Sequence, residues 1–207
     1  MINLIWDLDG TLLDSYGVIL GSLEQVCKDN QFPFDKETVA KDVIVHSVNH
    51  YIDYLSCISG MPFNEIKNRC SELSRKRNME IEAMPNAIKA LKALKAKGIN
   101  NYIFTHRGVS TEGVLKNVKL YDFFIEIVTS LNNFPRKPDP SGLNYLVDKY
   151  HLDPNETYYV GDRSIDIECA SNAGLKSILY KPDTNVTVPS GKETFVVKDL
   201  LAIPELF

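Results

Sequence analysis

With 207 residues, 44% of them apolar, the chain can bury a sizeable core, and wholesale disorder is excluded. A formal net charge of −4 argues against nucleic acid as the main partner, since proteins that bind backbone phosphates are usually basic. No apolar run approaches a membrane span, and the apolar start runs straight into Asp7 instead of forming a signal segment, so a soluble cytoplasmic protein with no membrane partner is expected.

Ile2, Leu4, Ile5 and Trp6, with Asn3 the only polar residue among them, predict a buried strand that ends in Asp7-Leu8-Asp9-Gly10-Thr11. Asp-Gly after a strand is also ordinary turn chemistry, so the two acids gain meaning only from what the rest of the chain supplies. The period then becomes helical. Tyr16, Ile19, Leu20, Leu23, Val26 and Cys27 recur at helical spacing, Asp14 or Ser15 can cap the start, and Pro33 bars continuation. Three further helices are expected: Asp35 to Val45, one marked by Val48, Tyr51, Ile52 and Leu55 that ends at Gly60, and one marked by Ile66, Cys70 and Leu73 that runs to about Ile81. From 15 to 83 no strand is predicted.

After Pro85, Ala87, Ile88, Ala90, Leu91 and Leu94 form one helix face, Lys89, Lys92, Lys95 and Lys97 a solvated one, and Gly98 the stop. Strands are then expected at Tyr102–Phe104, Ile125–Val128, Thr157–Val160 and Ser177–Tyr180, and an edge strand at Phe195–Val197 before a short terminal helix. Helices are expected between them at Thr111–Val118, Gly142–Tyr150 and Ile165–Ala173. This alternation implies an α/β fold with a doubly wound parallel sheet. The helical block interrupts it after the first strand, which gives a core domain at 1–14 and 84–207 and an inserted all-helical domain at 15–83, with hinges near 13–16 and 82–86. The four cysteines, Cys27, Cys57, Cys70 and Cys169, fall in predicted helices without a C-x-x-C pair and read as small core residues in a reducing compartment.

In an open parallel sheet, ligands bind beyond the carboxyl ends of the strands. The first strand ends in Asp7 and Asp9, the second in Thr105 followed by His106 and Arg107. The loop after the third holds Arg136, Lys137, Pro138 and Asp139, and the fourth ends in Gly161-Asp162 with Asp166 four positions on. Alone, Thr105 is a helix cap, Lys137 an exposed loop lysine and Gly161-Asp162 a turn. Together they form one edge of one sheet. Asp7, Asp9 and Asp162 crowd negative charge that a cation must balance, and an oxygen-rich carboxylate set suits Mg²⁺. A carboxylate can attack phosphorus to give an aspartyl-phosphate, while a hydroxyl and a lysine hold the transferring oxygens. Gly10 allows a tight turn whose backbone faces an anion.

The ordered set Asp7-Leu8-Asp9-Gly10-Thr11-Leu12, Thr105, Lys137-Pro138-Asp139 and Gly161-Asp162 with Asp166 resembles the haloacid dehalogenase-like hydrolase superfamily, and the helical block resembles its inserted helical cap. The resemblance implies a Rossmann-like core, a Mg²⁺ cofactor and a small phosphomonoester as substrate. It makes Asp7 the nucleophile and Asp9 the general acid and base, whose backbone carbonyl helps hold the metal. Thr105 and Lys137 would bind phosphoryl oxygens, with Gly10 and His106 beside them in the substrate site. Asp162 would ligate the metal, and Asp166 would do so directly or through the second shell. The dehalogenases that name the family use no metal and lack an acid at the position of Asp9, so a phosphatase is implied here, similar to phosphoglycolate phosphatases. Those enzymes commonly carry Asn after the second-motif Thr, where this chain has His106-Arg107, and Arg163 after Asp162 is a second departure.

A β-phosphoglucomutase-like phosphotransferase would share Asp7 and Asp9, and a non-catalytic phosphate-binding regulatory module would share the fold. His46 and His50 have the spacing of a helical metal pair but no third ligand, and Arg75-Lys76-Arg77 reads as a solvated helix face. Tyr51 fits the core stripe of its helix, which leaves Tyr54 outside it.

Overall fold

The structure, a computed structural model, describes Met1 to Phe207. In chain order, β1 (Asn3–Trp6) and β2 (Leu13–Asp14) precede four helices, α1 (Tyr16–Asp29), α2 (Lys36–Val45), α3 (Val48–Ser59) and α4 (Phe63–Lys76). β3 (Glu82–Ala83), α5 (Ala87–Ala96), β4 (Asn100–Phe104), α6 (Thr111–Asn117) and β5 (Ile127–Val128) follow. The chain ends with α7 (Ser141–Tyr150), β6 (Thr157–Gly161), α8 (Ser164–Asn172), β7 (Lys176–Tyr180) and β8 (Phe195–Val197). Contacts divide it into an α/β unit, Met1–Asp14 with Glu82–Phe207, and a helical unit, Ser15–Ile81.

The α/β unit holds a six-stranded sheet in the order β5-β4-β1-β6-β7-β8, parallel throughout. From β1 the chain winds outward to β4 and β5, then returns past β1 to build β6, β7 and β8. The winding reverses between β1 and β6, and such a switch point opens a crevice at the carboxyl ends of its two strands. Trp6 is in register with Ile103 and Val160, and the Asp7 N–H donates to the Val160 carbonyl at 2.8 Å. Asp7 therefore leaves the sheet at its centre. Two buried side-chain bonds tie the central strands together: Trp6 Nε1 donates to Asn101 Oδ1 at 2.9 Å, and the Tyr159 hydroxyl donates to the Phe104 carbonyl at 2.9 Å. Ile5, Tyr102, Phe104 and Tyr159 pack against Leu143 and Leu146 of α7 and Cys169 and Ala170 of α8. Alternation sends Leu4 and Trp6 to the opposite face.

The helical unit has its own core, in which Leu23, Val26 and Cys27 of α1 meet Val39 and Val43 of α2, Tyr51, Ile52 and Leu55 of α3, and Ile66 and Cys70 of α4. Its ends follow the sequence signals. The Asp35 carboxylate accepts the Thr38 N–H, the Ser47 hydroxyl accepts that of His50, and Gly60 closes α3 in the left-handed region at φ 72°.

Five local expectations differ. The predicted Ile125–Val128 strand is reduced to Ile127–Val128, because it lies at the sheet edge and a 3₁₀ turn at Tyr121–Phe123 delivers the chain only just before it. α4 stops at Lys76 and not near Ile81: a 3₁₀ turn at Asn78–Glu80, clamped by the Arg77–Glu80 ion pair, redirects the chain into β3. That strand was not anticipated; it pairs antiparallel with β2. Cys57 is exposed, unlike Cys27, Cys70 and Cys169, because it lies two positions past Leu55 and helix rotation turns it away from the buried face. The terminal helix is replaced by 3₁₀ turns at Leu200–Ala202 and Pro204–Leu206.

Gly142, in the first turn of α7, lets that helix close on β4. A Cβ placed there would lie 2.3 Å from Phe104 Cε2. Gly142→Ala should therefore cost about 1–3 kcal/mol, the usual scale of overpacking, read as a lower denaturant midpoint. Gly113→Ala in α6, where a Cβ meets nothing within 4 Å, should leave the midpoint unchanged or raise it.

Candidate active site

Each residue named by the sequence stands at the carboxyl edge of the sheet. Asp7 follows β1, Thr105 follows β4, Lys137 lies in the loop after β5, Asp162 follows β6, and Asp166 lies in the first turn of α8. The loop after Asp7 folds on itself, with the Leu12 and Leu13 N–H groups both donating to the Leu8 carbonyl at 2.9 Å. Gly10 sits at its apex with φ 84°, a conformation that suits glycine. Its N–H donates to the Leu13 carbonyl at 2.9 Å, which closes the tight turn that the sequence predicts.

Lys137 is the hub. Its fully buried Nζ lies 2.8 Å from Asp7 Oδ1 and 2.8 Å from Asp166 Oδ1. Burial alone would pull this ammonium down, but Asp166 and Asp7 outweigh it and the net shift is upward. The rings of Tyr159 and Phe104 lie beneath it, with centroids at 5.1 and 5.5 Å. Asp166 also serves α8: its Oδ2 accepts the Arg163 N–H at 3.1 Å, as an acid in a first turn should. A Cβ on Gly161 would lie 2.3 Å from the Asp166 Cβ, so only glycine at the end of β6 lets this carboxylate reach the lysine.

Asp162 accepts the Thr11 hydroxyl at 3.0 Å, and its backbone carbonyl accepts from Asn185 Nδ2 at 3.0 Å. Carboxylate oxygens of Asp7, Asp162 and Asp166 lie within 4.8 Å of one another, all three side chains buried. This all-oxygen donor set, two of whose members share Lys137, fits a hard divalent cation. Asp9 stands apart from it, with Oδ1 2.5 Å from Arg107 Nη1. The Thr105 hydroxyl oxygen accepts the Arg107 N–H at 3.1 Å. Cys169 is excluded as a nucleophile: burial pushes its thiol up to about 12, and Sγ donates to the Asp139 carbonyl. His46 and His50 lie in the helical unit, exposed and facing Asp42.

His106, expected beside the substrate, also supports the lysine loop. Its Nε2 accepts the Lys137 backbone N–H at 3.0 Å, and its ring meets Phe104 edge-on. Burial first, then the charges of Lys137, Arg136 and Arg163, pulls the imidazole from 6.5 down to about 3. The folded protein thus keeps His106 neutral where the unfolded chain protonates it. Its stabilising contribution is complete above pH 6.5 and is lost as the pH falls towards 3. His106→Gln keeps an acceptor and removes the titration, so between pH 6.5 and 4 it should lose less stability than the parent in denaturant titrations. His106→Ala at pH 8 should cost about 1–3 kcal/mol, the penalty for an orphaned amide.

The chain is similar to known hydrolases. Residues 4–180 match the model of a family described as haloacid dehalogenase-like hydrolase. The chain is 26% identical over 208 residues to a phosphoglycolate phosphatase of Vibrio vulnificus, covering 94% of this chain and 91% of that one. It is 27% identical over 196 residues to the pyrophosphatase PpaX of Bacillus mycoides, covering 87% and 90%. The structure of a predicted phosphoglycolate phosphatase from Haemophilus somnus gives a TM-score of 0.85 at 22% identity, over 98% of this chain and 96% of that one. CbbY from Rhodobacter sphaeroides, in complex with phosphate, gives 0.82 at 15%, over 98% and 96%. At those identities the structural likeness speaks for the fold alone. The family match spans all four motifs, and the chain belongs to the haloacid dehalogenase-like hydrolases, among which it resembles the phosphoglycolate phosphatases.

Proposed function

We propose that this hydrolase is a Mg²⁺-dependent phosphatase that cleaves a small phosphomonoester through a phospho-aspartate on Asp7, with the helical unit as its cap. The observation that carries the proposal is the buried Lys137 ammonium held at 2.8 Å from both Asp7 and Asp166, beside Asp162 at the switch point of the sheet. The curated relatives named for phosphoglycolate and pyrophosphate hydrolysis support small phosphate compounds as the substrate class.

In this reading Asp7 attacks phosphorus, forming an O–P bond as the bond to the leaving oxygen breaks, and Asp9 gives that oxygen its proton. Asp9 then takes a proton from water, which attacks the phospho-aspartate and frees Asp7 and inorganic phosphate. Lys137 fixes the Asp7 carboxylate and, with the Thr105 hydroxyl, meets the transferring oxygens. Both Asp166 oxygens already have partners in Lys137 and the Arg163 N–H, so it orients the lysine. Asp7 and Asp162 would hold the metal with the Asp9 backbone carbonyl. Bound there, Mg²⁺ would offset the carboxylate charge and draw electron density from the phosphoryl oxygens.

Asp7→Asn should abolish phosphate release from p-nitrophenyl phosphate while the thermal midpoint shows the protein still folded. Chelation should abolish the parent's activity, and added Mg²⁺ should restore it. Full turnover in Asp7→Asn would remove the nucleophile, and turnover indifferent to chelation would remove the metal.

A further inference from the structure

Arg107 has no part in the reaction as described so far, yet it reaches the acid that would serve the leaving group. Its Nη1 lies 2.5 Å from Asp9 Oδ1, with the arginine side chain 9% exposed and that of Asp9 24%. Nε donates to the Ser110 hydroxyl at 3.1 Å, which aims the guanidinium. The loop itself does not need this side chain. The Arg107 N–H bonds the Thr105 hydroxyl oxygen at 3.1 Å, and the Arg107 carbonyl accepts the Ser130 N–H at 3.2 Å. A nearly buried, permanently charged fork has therefore been placed at the proton-transfer group by a loop that the backbone already secures.

The transferring phosphoryl group has its own cation in Lys137, on the Asp7 side. Arg107 stands with Asp9, and Asp9 faces the leaving oxygen. A substrate whose leaving part is neutral brings no anion to the guanidinium and shields it further from water. A leaving part that carries its own anion close behind the leaving oxygen matches the fork and competes with Asp9 for it. We infer that Arg107 is a specificity-determining residue that recognises a second anionic group, a carboxylate or a phosphate, on the leaving part of the substrate, an assignment that rests on the phosphatase reading.

Steady-state kinetics on three probes tests it: phosphoglycolate with a carboxylate on the leaving part, inorganic pyrophosphate with a phosphate there, and ethyl phosphate with a neutral one. In Arg107→Gln, kcat/KM for phosphoglycolate or pyrophosphate should fall about 10- to 100-fold further than for ethyl phosphate, the worth of a hydrogen bond between charged groups. The loss should lie in KM, and Arg107→Lys should recover part of it. Which probe suffers identifies the anion. An equal fall on all three, or none, overturns the assignment. Calorimetric binding of phosphoglycolate and pyrophosphate to Asp7→Asn with Mg²⁺, with and without Arg107→Gln, separates the two readings. Arg107-dependent binding of either without turnover in the parent would uphold recognition and remove the phosphatase, whereas binding of both that is indifferent to Arg107 would overturn recognition.

Discussion

A lysine ammonium with no access to water is stable only if its counter-charges are already in place, and at Lys137 they are Asp7 and Asp166. Remove either partner and charge is left stranded in a medium that cannot solvate it, typically at a cost of about 3–5 kcal/mol. The loop after β5, the end of β1 and the start of α8 are therefore held in one arrangement by electrostatics as much as by packing. The floor beneath the ammonium is made by Phe104 and Tyr159, which are also members of the sheet core. Core and site share side chains, so Gly142, which admits the Phe104 ring, and Gly161, which admits Asp166, belong to both.

The parallel sheet makes such convergence possible. Every strand points the same way, so every strand-to-helix loop emerges at one edge, and residues more than a hundred positions apart in sequence become neighbours. Thr11 and Asp162, 151 positions apart, are hydrogen-bonded. At the switch point between β1 and β6 the flanking connections diverge to opposite sides, which leaves room for a ligand where the carboxylates gather.

Long periodic segments were legible from residue types alone. The face of Ala90, Leu91 and Leu94 in α5 and the apolar run of β1 could be read directly, because burial imposes a period that spans several residues. β2 and β3 could not, since a two-residue strand has no period and exists only through its partner. The need for a cation among Asp7, Asp9 and Asp162 could be read from their crowded charge, whereas the separate roles of Asp7, Asp162 and Lys137 came from the resemblance of the ordered motifs. Partners chosen by the third dimension stayed hidden. Nothing in the residue types ties the His106 imidazole to the Lys137 amide, the Gly10 amide to Leu13, or Asn185 to the Asp162 carbonyl. Thr11 was in view within its motif, but its hydroxyl had no visible acceptor until β6 lay beside β1.

The two acids of the first loop end in different electrostatic circumstances, and that difference bears on their proposed roles. Asp7 and Lys137 are sealed, with side chains 4% and 0% exposed, whereas Asp9 and Arg107 sit at 24% and 9%. A sealed pair exchanges partners only with difficulty, which suits a nucleophile whose orientation must not drift. A partly exposed pair is worth less and is screened more than a sealed one, so another anion can displace one member at lower cost. In the proposed reaction the proton-transfer group changes partners during each turnover, from leaving oxygen to water, and Asp9, to which that role is assigned, lies in the looser pair. One motif thus places two chemically identical carboxylates a residue apart and lets burial decide which stays fixed and which can be exchanged.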